Sequence, residues 1–434
     1  MSMIHGEATR RRRLEPSRWG WLVVAALVIL VVVDLARVWR ITNHHDVDVF
    51  IQAAGRLTRG EDIYAEGPAF RAAVESGTID MKDDTVAWPY AYTPLIALMF
   101  VPMTWLPLAV ARTLWWGINV MALLLGCWLC LEPWRERRSP WLLALLLLVV
   151  YRYDPAIVAL RLGQIEVLQF LLLAVTAYLL RRDRDAWAGA AVGLAAGLKF
   201  IPLALVVLFV WRRRWRAAGW MLGVATLAIL GSFALVGRGQ VVSYFAFTSL
   251  YGYGGAFAAF PLNQSLNGFV SRNLVRNPFV ATLKGWHLPG LARALTVGGV
   301  TLVGAVCAWL TWHPRAWPVR PTRDDHERFD LEFILAIAAL AIVSPHSQVY
   351  SLVWLLMCIV RLARWLLSVR PAAGGGPWVG LALGYLLVGR HYALYVPMLT
   401  RLVQAHYFFG ILFLWGTICL LLHGQNLGAS RHKA

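Results

Sequence analysis

Apolar runs, many of them near twenty residues long, alternate with short polar segments from Trp19 to Leu422. A run of this length crosses the hydrocarbon core of a bilayer as one α-helix. The pattern therefore predicts an all-α polytopic membrane protein with about twelve crossings in one domain, residues 19–425. The predicted spans are residues 19–39, 109–131, 141–159, 165–180, 187–198, 201–211, 217–236, 291–312, 329–343, 349–367, 379–388 and 408–422.

The charges follow the polar segments between these runs. The formal net charge is +18, although only 15% of the residues are charged and 59% are hydrophobic. In a soluble protein this excess would suggest nucleic acid, but here the basic residues cluster in short loops, which is typical of cytoplasmic loops. The clusters are residues 10–13, 135–138, 181–184, 212–216 and 361–370.

The charge pattern also sets the orientation. It predicts a multi-pass protein of the cell membrane, with a basic cytoplasmic N-terminus (1–18), a cytoplasmic tail (426–434) and membrane lipids, not nucleic acid, as partners. The first apolar run could be a signal peptide, but residues 20–39 lack a small-residue cleavage site, so we expect a retained span.

Two long polar segments face outward in this topology. Residues 41–91 carry nine carboxylates against four basic residues, the reverse of the whole chain. Residues 237–290 contain "PLNQSLNGFVSRNL" and no run long enough to span. Two large external loops above a helical bundle predict a site on the outer face.

Two apolar segments are interrupted. Residues 92–108, "YTPLIALMFVPMTWLPL", contain three prolines, and a shallow or re-entrant segment there keeps the arginines at 135–138 inside. Residues 187–211 have basic clusters on both sides and contain Lys199 and Pro202. We expect two half-helices that meet near Lys199.

The first external loop opens with two aspartates, in "HHDVDVF". Asp46 and Asp48 precede apolar residues at helical spacing, with Gly60 beyond, which predicts an amphipathic helix on the membrane surface. From spacing alone, the favoured interpretation is that one aspartate is the N-cap and the other lies in the first turn. The alternative is a carboxylate that acts in catalysis.

Polar residues at the outer ends of spans are the other candidates. Lys199 has no acidic neighbour in sequence, so it either reaches toward the interface or forms an anion site for phosphate. Arg161 and Gln164 in "RLGQIE", and His346 in "SPHSQVYS", also fall at outer ends. Their convergence on one face is more informative than any one of them.

The sequence predicts no cofactor. All five cysteines lie in apolar runs, where packing without disulfide or metal is expected. They are Cys127, Cys130, Cys307, Cys358 and Cys419. A divalent ion held by Asp46 and Asp48 remains an alternative, because carboxylate oxygens suit Mg²⁺ or Mn²⁺.

A sugar linked through phosphate to an isoprenoid would fit such a face. Its tail needs a groove between spans, its phosphate needs cationic stabilisation, and the acceptor hydroxyl needs a general base. Displacement with inversion requires one carboxylate base, whereas retention requires two.

Six motifs together resemble glycosyltransferase family 87. In order they are "HDVDVFIQAAGRLTRGEDIY", "YAYTPLIALMFVPMTWLP", "GQIEVLQFLLLAVTAYL", "WAGAAVGLAAGLKFIPL", "NQSLNGFVSR" and "SPHSQVYSLVWLL". They cover about residues 46–356. The resemblance implies a GT-C fold with external juxtamembrane helices and transfer of mannose from polyprenyl-phosphate-mannose.

The resemblance also assigns residues. The family's catalytic aspartate lies four residues before an aromatic, which maps to Asp46 before Phe50 and leaves Asp48 in support. Lys199 and Gln164 match positions near the donor site. The expected substrate-binding residues are Tyr92, Arg161, Gln164, Lys199, Asn263, Gln264, Ser265, Arg272 and His346.

One segment departs from the family pattern. Many members have a tryptophan and then two histidines where this chain has Gln348, Tyr350 and Ser351, so His346 is the expected substitute.

The resulting hypothesis is a glycosyltransferase that moves a hexose, foremost mannose, from a polyprenyl-phosphate donor to a lipid or glycan hydroxyl on the outer face, with inversion to an α-linkage. The alternatives are transfer of another polyprenyl-phosphate sugar, or a secondary transporter or lipid flippase whose broken helices and Lys199 line a path. The polar residues gather in two predicted external loops, and the chain shows no pair of related halves. Both features favour the transferase over a transporter.

Overall fold

The computed structural model describes residues 18–76, 88–131, 140–277, 279, 286–312, 318, 321–369, 374–391 and 404–431. Within these ranges the chain is helical, and the extended pairing consists of one isolated bridge between Asn263 and Gln348. The basic clusters at residues 10–13 and 135–138, and the carboxylates Asp80, Asp83 and Asp84, lie outside the described residues.

Eighteen α-helices are described. They are α1 (Arg18–Arg40), α2 (His45–Thr58), α3 (Gly67–Glu75), α4 (Pro94–Phe100), α5 (Leu108–Leu131), α6 (Pro140–Val150), α7 (Asp154–Leu162), α8 (Glu166–Leu180), α9 (Asp185–Leu198), α10 (Val206–Trp211), α11 (Trp215–Val236), α12 (Arg238–Thr248), α13 (Leu266–Leu274), α14 (Pro289–Thr311), α15 (Arg323–Val343), α16 (Leu355–Val369), α17 (Gly376–Gly389) and α18 (His406–Arg431). Short 3₁₀ segments at Val101–Trp105, Ile201–Leu205 and Val349–Trp354 continue α4, precede α10 and precede α16.

Six helices in the described ranges are long and apolar enough to cross a membrane. They are Trp19–Arg40, Leu108–Leu131, Trp215–Val236, Pro289–Thr311, Val349–Leu367 and His406–Asn426. This confirms an all-α polytopic membrane protein, while the count of twelve crossings stays a prediction. Five further apolar helices have 10–17 residues.

The span predicted at residues 141–159 is not one helix. It is a pair, α6 and α7, bent by 59°. The break lies at Tyr151–Tyr153, where Arg152 adopts φ 54° and Pro155 opens α7. Proline is favoured in a first helical turn, so the new helix begins there instead of continuing α6.

The centre of the bundle is the segment Val349–Leu367, of which 94% is buried, against 22% for Trp19–Arg40. Its side chains form the main apolar core together with those of α5, α8, α15 and α18. Its N-terminal 3₁₀ turn packs against α7 and α8. That packing places residues 344–350 beside the turn between α7 and α8.

Both interrupted segments are broken in the structure, and a re-entrant path for residues 92–108 stays a prediction. Pro94–Trp105 is a helix of twelve residues, about 18 Å long, which is too short for a core of about 30 Å. Helix α9 ends at Leu198, Lys199 is extended, and a 3₁₀ turn then leads into α10. The half-helices near Lys199 are therefore confirmed.

Helix α9 is fixed by close backbone contact with α11. A Cβ at Gly189 would lie 2.2 Å from the Ala217 carbonyl oxygen, and one at Gly193 would lie 2.6 Å from that of Met221. Small residues allow such contacts in membrane bundles. The glycines of "WAGAAVGLAAGL" thus set the depth at which Lys199 emerges.

The predicted amphipathic helix is α2. Val47, Phe50, Ala53 and Ala54 are buried against α4, and Gly60 follows its end at φ 70°. The expected aspartate N-cap is wrong, because His44 takes that position without a side-chain cap. Asp46 and Asp48 both lie in the first turn, where negative charge is favourable.

Candidate active site

A cavity of about 940 Å³ opens where α2, α7, α9, α12 and residues 344–350 meet. Six side chains named from sequence line it, although they come from five separate parts of the chain. They are Asp46, Tyr92, Arg161, Gln164, Lys199 and His346.

Asp46 is held by a chain of hydrogen bonds. Gln164 Nε2 donates to Asp46 Oδ2 at 2.7 Å, and the Tyr92 hydroxyl donates to Gln164 Oε1 at 2.9 Å. Gln164 itself follows Gly163, which ends α7 at φ 76° and packs against Val47. The turn after α7 therefore carries the amide that orients the carboxylate.

The surroundings of Asp46 raise its pKa to about 7. Burial is the largest cause and the charge of Glu166 is the second, whereas Lys199 and the hydrogen bond from Gln164 lower the pKa. A carboxyl group near neutrality both ionises and accepts a proton at working pH, which suits a general base.

Lys199 does not simply reach toward the interface. It forms an ion pair with Glu166, which is fully buried at the start of α8. Its Nζ lies 5.6 Å from the centre of the Tyr92 ring and 5.3 Å from that of Tyr350. The cation is thus held at the cavity wall.

Glu166 was missed by the sequence reasoning as a partner of Lys199, because 33 residues separate the two. The available signal was a carboxylate at the head of the apolar run "EVLQFLLLAV", since a charge placed there needs a partner.

Asp48 lies outside the cavity. Arg112 Nε on α5 donates to Asp48 Oδ1 at 2.8 Å, and a second bond joins the same two side chains. Asp46 and Asp48 therefore have separate partners. This pairing fixes α2 to α5, and it leaves Asp46 as the carboxylate that faces the cavity.

The second loop predicted to be external, residues 237–290, contacts residues 345–347 of the cavity wall on the side away from the cavity. Asn263 Nδ2 donates to the Pro345 carbonyl at 3.2 Å, and its Oδ1 accepts from Ser347 N at 2.9 Å. Gln264 N donates to the Ser347 carbonyl at 2.7 Å. Asn263 and Gln264 are buried and do not line the cavity.

Ser265 and Arg272 form hydrogen bonds within the same loop. Ser265 caps α13 by accepting from Gly268 N at 3.1 Å. Arg272 donates to the Phe260 carbonyl at 3.0 Å, and burial lowers its pKa to about 10. These two side chains also lie behind the wall, where Arg272 adds positive charge.

His346 projects from this braced segment. Burial, Lys199 and Arg272 lower its pKa to about 3, so the ring is neutral at physiological pH. Its Nε2 lies 2.6 Å from the Gln348 amide nitrogen, which can only donate. Its other ring nitrogen, Nδ1, is buried and has no hydrogen-bond partner among the described residues. His346 therefore lies in the cavity wall as a neutral ring with one unpaired nitrogen.

Aromatic side chains missed by the sequence reasoning complete the lining. They are Trp88, Tyr244, Phe245, Tyr251, Phe260 and Tyr350. Such walls suit a sugar face or an apolar tail, and a few polar groups fix orientation. Except for Tyr350, these aromatic side chains lie in the two loops predicted to be external, whose aromatic content was the available signal.

Comparison with known proteins gives the same picture. The family model of glycosyltransferase family 87 matches residues 90–345. The polyprenol-phosphate-mannose-dependent α-(1-2)-phosphatidylinositol pentamannoside mannosyltransferase of Mycolicibacterium smegmatis is 28% identical over 303 residues, which cover 68% of this chain and 66% of that protein.

Two further relatives are similar. The polyprenol-phosphate-mannose-dependent α-(1-2)-phosphatidylinositol mannoside mannosyltransferase of the same organism is 25% identical over 382 residues, 84% of this chain and 80% of that protein. Its namesake in Mycobacterium tuberculosis is 26% identical over 313 residues, 64% and 70% of the two chains. Because the family match extends over more than half of its residues, the chain belongs to glycosyltransferase family 87.

Proposed function

We propose that this membrane glycosyltransferase moves mannose from a polyprenyl-phosphate-linked donor to a hydroxyl of a lipid or glycan acceptor on the external face, with inversion. The observation that carries the proposal is the joint presence of Asp46, Lys199 and His346 in one cavity. A base and two phosphate-binding groups are what this reaction requires.

Asp46 acts as the general base. Its carboxylate takes the proton of the acceptor hydroxyl while that oxygen forms a bond to the anomeric carbon. The bond from that carbon to the phosphate oxygen breaks, and the phosphate leaves with the electron pair. Since Asp48 is paired with Arg112, one carboxylate serves the reaction, which favours inversion from a β-linked donor to an α-linked product.

Lys199 and His346 stabilise the departing phosphate. The Lys199 ammonium supplies charge, and the neutral His346 ring lines the same cavity as a polar group for the phosphate. Arg272 contributes positive charge from behind the wall, within electrostatic reach of His346. Such fixed groups stabilise developing negative charge without reorganisation.

The external loops suggest the arrangement of the whole enzyme. Helices α2, α3, α12 and α13 lie in the two loops predicted to be external, and the cavity lies beneath them. A bundle covered by juxtamembrane helices agrees with the GT-C fold that the family resemblance implies. The acidic first loop favours the external side for this face.

A mannosylated phosphatidylinositol is the acceptor to test first, because the similar mycobacterial enzymes are named for such glycolipids and for α-(1-2) linkages. Another polyprenyl-phosphate hexose remains the alternative donor.

The proposal is tested with purified enzyme in liposomes. Polyprenyl-phosphate-[¹⁴C]mannose, polyprenyl-phosphate-glucose and GDP-mannose are compared as donors to a phosphatidylinositol mannoside. We expect label in the lipid product from the first donor, released by an α-mannosidase. Transfer from GDP-mannose alone, or a β-linked product, would contradict the proposal.

A further inference from the structure

Glu166 stands directly behind the cation of the active site. Its side chain is fully buried and does not line the cavity, whereas Lys199, with 23% of its side chain exposed, does. The lysine therefore lies between the buried carboxylate and the space where a donor phosphate would enter.

Glu166 is held firmly in place. The Ser351 hydroxyl donates to its Oε1 at 3.4 Å, and the Trp354 indole donates to its main-chain oxygen at 3.3 Å. On the next turn of α8, Gln169 donates to the Lys199 carbonyl at 3.2 Å. Both partners of the ion pair are thus fixed to the wall by neutral contacts.

The pair is also incomplete. Within the part of the chain that the structure describes, Glu166 Oε2 is buried without a hydrogen-bond partner. A lysine ammonium has three N–H donors, and one of them serves Glu166 Oε1. Lys199 therefore retains donors for an incoming phosphate, and any shift toward that phosphate leaves Glu166 less neutralised.

We propose that Glu166 is a positioning residue that holds Lys199 for the donor phosphate and, as Lys199 moves toward that phosphate, increases the proton affinity of Asp46. Asp46 would then be a stronger base in the donor complex, where the leaving phosphate is present, than in the free enzyme. This inference rests on the proposed function, because it requires a donor that carries a phosphate.

Both members of the pair act on Asp46. The Glu166 charge raises the pKa of Asp46 and the Lys199 charge lowers it. Among the described residues, the other titratable groups around the cavity are His45, Tyr92, Arg161, Tyr244, Tyr251, His346 and Tyr350, and the Asp48–Arg112 pair lies nearby on α2 and α5. The phenols and the guanidinium groups keep their charge state between pH 5 and 8, and His346 is neutral throughout.

The unmodified enzyme should show the effect in its pH–rate profile. The acid limb is the fall of a rate constant at low pH. For kcat/KM of the donor it reports the pKa of the base in the free enzyme, and for kcat it reports that pKa in the donor complex. We expect the acid limb of kcat to lie at a higher pH than that of kcat/KM, by about half a unit or more. Equal limbs, or a lower limb for kcat, would overturn the inference without requiring any variant.

Glu166→Gln removes the charge and keeps the shape. The acid limb of kcat/KM should move to lower pH by about one to two units, because a neighbouring negative charge is lost and Lys199 is no longer neutralised. The weaker base should lower kcat at pH 8 about three- to tenfold. A limb within about 0.3 unit of the wild type would overturn the inference.

Two further variants control for structural damage. Gln169→Leu disturbs the Lys199 segment without changing charge, and its limb should stay in place. Glu166→Asp keeps the charge and should also keep the limb, so it decides the matter if Glu166→Gln does not fold. A shift of one unit in either variant would show that packing, not charge, sets the limb, and would overturn the inference.

Separate results would contradict the proposed function and the role of Glu166. If the wild type transfers no sugar from any polyprenyl-phosphate hexose, the proposed function fails and this inference with it. If transfer occurs and the limbs do not respond to Glu166, this inference fails alone.

Discussion

At the residue scale, the properties of Asp46, the proposed base, depend on side chains that are distant from it in sequence. The spacing of Asp46 before Phe50 singled it out through the family pattern. Its pKa depends on Gln164, Glu166 and Lys199, which reach it only through the fold. Burial of this kind leaves no local signal, so the sequence alone favoured a helix cap, which His44 occupies instead.

Gln164→Leu tests the orienting hydrogen bond. The bond from Gln164 stabilises the ionised form of Asp46 and so lowers its pKa. Without it the pKa rises above about 7, and the acid limb of kcat/KM should move to higher pH by about 0.5–1 unit. Activity at pH 6.5 should fall more than activity at pH 8.5.

The control for this variant is Gln264→Leu, the same change in the second external loop. Gln264 has no contact with Asp46, so its acid limb should match that of the wild type. A Gln164→Leu limb that moves to lower pH would show that the amide does not stabilise the carboxylate.

At the element scale, interruptions marked by proline, lysine or turn residues could be predicted. The half-helices near Lys199 and the short segment at Pro94–Trp105 were predicted correctly. The break between α6 and α7 was missed although Pro155 marks it, because the apolar run up to "VVYRYD" was read as continuous.

The second loop predicted to be external also shows that a sequence motif does not fix the role of its residues. Its motif predicted substrate-binding residues, and the structure gives Asn263 four hydrogen bonds within the wall instead. Whether these residues also contact substrate stays a prediction.

Asn263→Ala should loosen the wall that carries His346 and Gln348. Loss of these bonds leaves buried main-chain groups unpaired, at about 1–3 kcal/mol each. We expect the donor KM to rise about tenfold with a smaller change in kcat, measured at saturating acceptor. Asn273→Ala, which loses one bond within α13, is the control. Equal donor KM values in the two variants would contradict the bracing role.

At the scale of the whole molecule, the buried charged residues of the helical bundle lie in two separate groups. The cavity lies at one end of α8 and α15, and a buried cluster of arginines and carboxylates lies at the other, about 20 Å away. Arg181, Arg361 and Arg364 all contact Asp330, and Arg212 and Arg328 contact Glu332. Sequence indicated cytoplasmic arginines but not these partners, which sit inside an apparent span.

Asp330→Asn should destabilise the protein without changing the reaction. Removal of one charge leaves three arginines around a neutral side chain, and breaking a buried pair costs about 3–5 kcal/mol. We expect a lower Tm in detergent and a kcat close to that of the wild type for the folded fraction. Glu61→Gln, at the exposed pair with Arg59, should change Tm little. Equal Tm values for both variants would contradict the role of the cluster.

The central claim is that Asp46 is the base of sugar transfer, and a comparison of Asp46→Asn with Asp48→Asn tests it most directly. Both changes remove one carboxylate from the first turn of α2, but only Asp46 faces the cavity. Initial rates of transfer from polyprenyl-phosphate-mannose, at pH 8 and with equal amounts of folded enzyme, are the measurement. We expect a loss of about 10²–10⁴-fold for Asp46→Asn and less than about tenfold for Asp48→Asn. Near wild-type transfer by Asp46→Asn, or the larger loss in Asp48→Asn, would contradict it.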